Sequence, residues 1–92
     1  MPKFFQFMIA GHYLYFTSAC IIEALHAHAS DKKLTRQTAA KFFIRPNGDS
    51  VVQKKGNLTS REITIIQKFI KANYIDMYNT WKEFGGKDFY RK

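Results

Sequence analysis

Residues 58–86 read LTSREITIIQKFIKANYIDMYNTWKEFGG, and this stretch decides the fold. Thr59 stands where a hydroxyl can accept from the first turn of a helix. Glu62, three residues on, can reach back to the backbone of Thr59, which makes a capping box. Leu58 and Ile63 sit on either side of that start at the spacing of a hydrophobic staple. Ile63, Ile66, Ile70, Tyr74, Met77, Trp81 and Phe84 then recur every three or four residues and fall on one face. Gly85-Gly86 closes the segment as a C-cap. The spacing predicts a long amphipathic helix over 60–84, with Asn73 as a point where it bends or divides. Its apolar stripe is core packing and needs a second layer to lie on.

The rest of the chain supplies strands for that layer. Between Phe4 and Phe16 the residues alternate, with Phe5, Phe7 and Ile9 on one face and Phe4, Gln6 and Met8 on the other. After Ala10-Gly11, Leu14 and Phe16 share a face and Tyr13 and Tyr15 the opposite one. Period-two alternation about a central glycine reads as two strands joined by a tight turn, an amphipathic helix being the alternative. Residues 38–45 read as a strand stopped by Pro46, with Asn47-Gly48-Asp49 as a turn and 50–53 as a short returning strand. Residues 30–36 are a polar turn, and Lys54-Lys55-Gly56-Asn57 is a basic loop leading to the helix. Residues 19–29 stay open on physics alone. Ala, Glu and Leu favour helix, whereas His26-Ala27-His28-Ala29 alternates as a strand would.

The expected fold is therefore α+β: a small, mainly antiparallel sheet of four or five strands covered by the C-terminal helix. Ninety-two residues allow one such domain, over 1–86, with 87–92 as a basic tail. The run from Phe4 to Ile22 is interrupted by Gln6, Gly11, His12, Thr17 and Ser18, too polar for a spanning helix. A cytoplasmic protein without membrane contact is expected. Cys20 is the only cysteine, which excludes an intramolecular disulfide and a multi-cysteine zinc site, and the expectation is a buried thiol in apolar surroundings.

The net charge of +8 is concentrated in the middle. Residues 1–30 are neutral, whereas 31–58 carry seven cations (Lys32, Lys33, Arg36, Lys41, Arg45, Lys54, Lys55) against Asp31 and Asp49. That imbalance favours a polyanion or an acidic protein as partner. Lys41, Arg45, Lys54, Lys55 and Arg61 are the candidate anion contacts, RNA being one such anion. Alternation puts Lys41, Phe43 and Arg45 on one strand face, a pattern of cations and rings able to hold phosphates and stack bases. His26 and His28, two apart, point to one strand face and are the candidate acid–base pair, because imidazole titrates near neutrality. With His12 they could make a three-histidine metal site. The expectation is nonetheless no metal and no cofactor, since carboxylates nearby are few and no cysteine is expected to complete or orient a site. Phosphate-binding glycine loops, nucleophile elbows and zinc-finger spacings are absent from the sequence.

The order of these pieces resembles a family of small bacterial domains of unknown function. The matching residues are the glycine and aromatic strand of Gly11 to Phe16, His26-Ala27-His28-Ala29, Ala40-Lys41-Phe42-Phe43-Ile44, Leu58 to Glu62, Asn73 and Trp81. Two departures stand out. Ile22-Glu23-Ala24-Leu25 replaces a small, proline-containing lead into the histidines, and Ala39 stands where the family more often has Glu. The resemblance implies a loop over 19–25 and a strand over 26–29. It also implies the toxin-like half of a two-gene toxin–antitoxin-type module acting on RNA or the translation machinery, paired with an acidic or DNA-binding antitoxin-like protein. A non-enzymatic adaptor and a histidine-ligated metal protein are the alternatives.

Overall fold

The computed structural model describes residues 2–30 and 39–91. Four strands, β1 (Tyr13–Tyr15), β2 (His26–Ser30), β3 (Ala40–Ile44) and β4 (Ser50–Lys54), pair antiparallel in the order β1-β2-β3-β4, and one helix, α1 (Ser60–Glu83), follows. A 3-10 helix, Ser18–Ile22, connects β1 to β2. The fold is the α+β arrangement expected, with four strands. Lys32, Lys33 and Arg36 lie outside the described residues.

The helix begins as its sequence dictates. The Glu62 backbone N–H donates to Thr59 Oγ1 at 3.2 Å, and the Thr59 N–H donates to Glu62 Oε1 at 2.8 Å. Ile66, Ile70, Met77 and Trp81 are fully buried and share one core with Leu14, Phe16, Ala27, Ala29, Ala40, Phe42 and Ile44. Apart from Phe16, which follows β1, those strand residues are the alternate positions of β1, β2 and β3, so one sheet face is closed by α1. The helix is a single piece. The Asn73 amide donates to the Phe69 carbonyl four residues back, which satisfies the side chain without interrupting the helix.

The N-terminal segment departs from the expected strand. Residues 2–9 form no strand and pair through two isolated bridges, Lys3 to Tyr15 in β1 and Ile9 to His12 just before it. The tight turn is present, with Ala10 and Gly11 both at positive φ (52° and 79°). Between the bridges, however, Phe5 and Phe7 leave the ladder to meet Phe69 on α1, at ring separations of 5.1 and 5.9 Å. Aromatic packing on the helix outweighs strand pairing there, and Phe4 and Ile9, expected on opposite faces, both enter the core.

The β3–β4 turn is held from α1. Lys71 donates to the Asn47 carbonyl and to Asp49 Oδ1, at 2.9 and 2.8 Å, and the Tyr74 ring lies against Gly48. After α1 the chain turns back at Gly85 and Gly86. The Tyr90 N–H donates to the Ile44 carbonyl, and the Tyr90 ring stacks on Phe43 at 4.3 Å. The segment expected as a basic tail is thus seated on the domain as far as it is described. Among the described residues no helix is long and apolar enough to cross a membrane.

Candidate functional site

The strand positions that alternate with the core residues Ala27, Ala29 and Phe42 carry the chemistry-bearing side chains, with Trp81 near the end of α1 reaching His26 among them. Strand alternation sends His26 and His28 to the same side of β2, with ring centroids 5.1 Å apart and the rings near perpendicular. The 3-10 helix then folds Cys20 over them, so that Cys20 Sγ lies 3.4 Å from His28 Nε2. One donor atom from each of Cys20, His26 and His28 lies within 4.8 Å of the other two.

His26 is fully buried, wedged between the rings of Phe43 and Trp81 at 5.5 and 5.4 Å. Its Nδ1 is 2.9 Å from the Ala24 carbonyl, an acceptor only, so Nδ1 carries a proton and donates. Its Nε2 is buried with no hydrogen-bond partner. His28 is half-buried, against the Tyr15 ring at 5.5 Å. Cys20 is buried within the core as expected, but its sulfur also meets Thr17 and His28, so the thiol has the activating neighbours that the sequence does not reveal. Burial pushes the thiol up, yet the approach of His26 and His28 and the Thr17 hydroxyl and N–H outweigh it and bring the pKa down to about 5. The His28 and Thr17 contacts are hydrogen bonds of 3.2–3.4 Å, whereas His26 Nε2 makes no hydrogen bond of good geometry.

At the rim, Lys41 stands opposite His28 in the β2–β3 register and donates to Glu23 Oε1 at 2.8 Å. The Lys41 side chain is 15% exposed and that of Glu23 46%, so the ion pair forms the outer edge of the cluster. Lys41 holds the Glu23 carboxyl below its usual range. The Lys41 ammonium also lies 4.8 Å over the Phe43 ring.

Of the residues singled out by sequence, His26, His28 and Lys41 come together. Lys54 is the cross-strand neighbour of Lys41, at the exposed end of β4, and Lys55 follows it into the loop. Arg61 is exposed on the first turn of α1. Arg45, beyond Phe43 at the end of β3, lines a separate groove of about 410 Å³ with Asp49, Gln67, Lys68 and Lys71. His12 does not join the other imidazoles: it lies 2.8 Å from the Ala10 carbonyl and 3.9 Å from Glu62. The residue missed by sequence reasoning is Cys20, and the expectation that no cysteine stands near the histidines is corrected. No periodic signal in the sequence marks Cys20, because it reaches the histidines through the 3-10 turn Ser18–Ile22.

One sulfur and two imidazole nitrogens make a set suited to proton transfer between thiolate and imidazole or to holding a borderline-soft cation. No family model, no curated protein and no solved structure matches this chain, so the site is read from its own geometry.

Proposed function

We propose that the chain is a polyanion-directed protein that engages RNA across the His28–Lys41 face, in the toxin-like role that the family resemblance implies. The observation that carries this reading is a cross-strand row. The registers set Tyr15 opposite His28, His28 opposite Lys41 and Lys41 opposite Lys54, so one imidazole and two ammonium groups line up across the sheet beside the buried Tyr15 ring. A phosphate arriving at Lys41 replaces the Glu23 carboxylate there, and Lys54 and Lys55 extend the contact from the end of β4 into the following loop. A row of cations and an imidazole on a sheet face suits the phosphate backbone of single-stranded RNA. His26, being fully buried, serves from behind and does not touch the polyanion; His28 is the imidazole on the accessible side.

The test is fluorescence anisotropy with a single-stranded RNA oligonucleotide at several salt concentrations. Replacing Lys54 and Lys55 by Glu should weaken binding and lower the salt slope by roughly one for each phosphate no longer neutralised, whereas Lys68→Glu on α1 should leave the slope unchanged. Absence of salt-dependent binding by the wild-type protein at low ionic strength contradicts the RNA reading.

One observation favours a protein partner as a second reading. Phe5, Phe7 and Phe69 form an aromatic trio on the surface, with Phe7 55% exposed. An adaptor role, or the seat of an antitoxin-like partner, would use this patch rather than the histidine face.

A further inference from the structure

We propose that Cys20, His26 and His28 form a binding site for a zinc-class divalent transition-metal ion, with three protein ligands and a fourth position open. The inference is independent of the RNA reading, because it rests on the donor atoms alone.

Distance is the first ground. With Zn–S near 2.3 Å and Zn–N near 2.0–2.1 Å, tetrahedral geometry separates a sulfur from a nitrogen ligand by about 3.6 Å and two nitrogens by about 3.3 Å. Cys20 Sγ and His28 Nε2 are already 3.4 Å apart. No pair among the three donors exceeds 4.8 Å, so closing the site takes shifts of about 1.5 Å at most, within reach of side-chain torsions.

The second ground is the state of His26. Histidines that ligate metals commonly donate the other ring N–H to a backbone carbonyl or carboxylate, which fixes the tautomer and aims the lone pair. His26 Nδ1 makes that bond to Ala24, Nε2 is left buried without a hydrogen-bond partner, and a ring nitrogen of His26 lies within 4.8 Å of the donor atoms of Cys20 and His28. The rings of Phe43, Trp81 and His28 hold the imidazole in this orientation from three sides. A buried polar atom without a partner is uncommon and calls for an explanation, and a bound cation supplies one. A thiolate–imidazole pair made of Cys20 and His28 alone would leave His26 without a role. It would also keep its nucleophile out of reach, since Cys20 is 4% exposed.

Donor type limits the ion. One thiolate and two imidazoles select zinc, or cobalt or copper in its place, over magnesium and calcium, which require oxygen ligands. Three protein ligands are the pattern of sites that keep a position for water or substrate rather than of closed structural sites. Lys41 is the strand neighbour of His28, so an anionic oxygen at the open position would meet a cation beside it.

The experiment uses the whole chain purified without a histidine tag, stripped of metal and titrated with Zn²⁺ or Co²⁺ in the absence of RNA. The expected result is one equivalent bound per chain, with cobalt giving a thiolate charge-transfer absorption and the intense visible bands of a tetrahedral site. Cys20→Ser should abolish the charge-transfer absorption, and His26→Gln should weaken zinc at least tenfold. His12→Gln should change neither. Failure of the wild-type protein to bind zinc, cobalt binding without the sulfur absorption, or dependence on His12 overturns the proposal. The wild-type spectrum decides even where a variant does not fold.

Discussion

Trp81→Ala is the substitution that most severely tests how the two layers are joined. Trp81 is fully buried, packs edge-on against Phe16 at 5.2 Å and against His26 at 5.4 Å, and donates from Nε1 to the Lys87 carbonyl at 2.7 Å. Removing a buried tryptophan ring costs about 3–5 kcal/mol, and loss of the hydrogen bond adds roughly 0.5–1.5 kcal/mol. A domain of this length has a total stability of about 5–14 kcal/mol, so the variant forfeits a large share of it. At about 4–8 °C per kcal/mol, the melting temperature falls by about 12 °C or more. Trp81→Phe separates the two contributions: it keeps a ring against Phe16 and His26 but loses the donor, for a loss of roughly 1–2 kcal/mol. Urea denaturation followed by circular dichroism gives both values, the slope with denaturant showing whether the folded state stays compact. A loss below about 1 kcal/mol for Trp81→Ala would refute the packing described for the two layers.

Two further outcomes follow from particular contacts. Gly48 has φ +89°, and a Cβ there would sit 2.6 Å from the Tyr74 ring, so Gly48→Ala should cost roughly 1–3 kcal/mol in thermal or urea unfolding; a neutral result would contradict the description of the β3–β4 turn. In metal-free protein the Cys20 thiol, pushed up by burial but drawn down more strongly by His26, His28 and Thr17, titrates near about 5 against an ordinary 9.0. The folded value lies below the unfolded one, so this contribution to stability is complete above the unfolded pKa and is lost as pH falls through the folded one. The stability gap between wild type and Cys20→Ser should therefore widen as pH rises from about 5 towards 9.0, and a gap constant with pH would contradict it.

Features governed by short-range rules were legible in the sequence. Thr59 and Glu62 meet as a capping box because the three-residue spacing places them on one helix turn, and the stripe through Ile66, Ile70, Met77 and Trp81 is buried because it recurs with the helix period. The shared direction of His26 and His28 follows from strand alternation in the same way. Features set by tertiary competition were not legible. Phe5 and Phe7 alternate as a strand should, yet the ring of Phe69, far along the chain on α1, draws them out of the ladder. Asn73 reads as a break, but an amide that bonds its own helix four residues back lets the helix run on. Cys20 reaches the histidines through a 3-10 turn, whose closing bonds from Cys20 and Glu23 leave no periodic signature in the residues. What could be read was the pair; the third donor required the fold.

X-ray absorption at the zinc edge of the metal-loaded protein measures the shell around the ion, and it bears most directly on the proposed centre. The structure predicts one sulfur at about 2.3 Å and two imidazole nitrogens at about 2.0–2.1 Å, with a fourth, lighter neighbour from water or buffer. A shell of nitrogen and oxygen alone, with no sulfur, would show that Cys20 is not a ligand and would contradict the claim that Cys20, His26 and His28 form one centre.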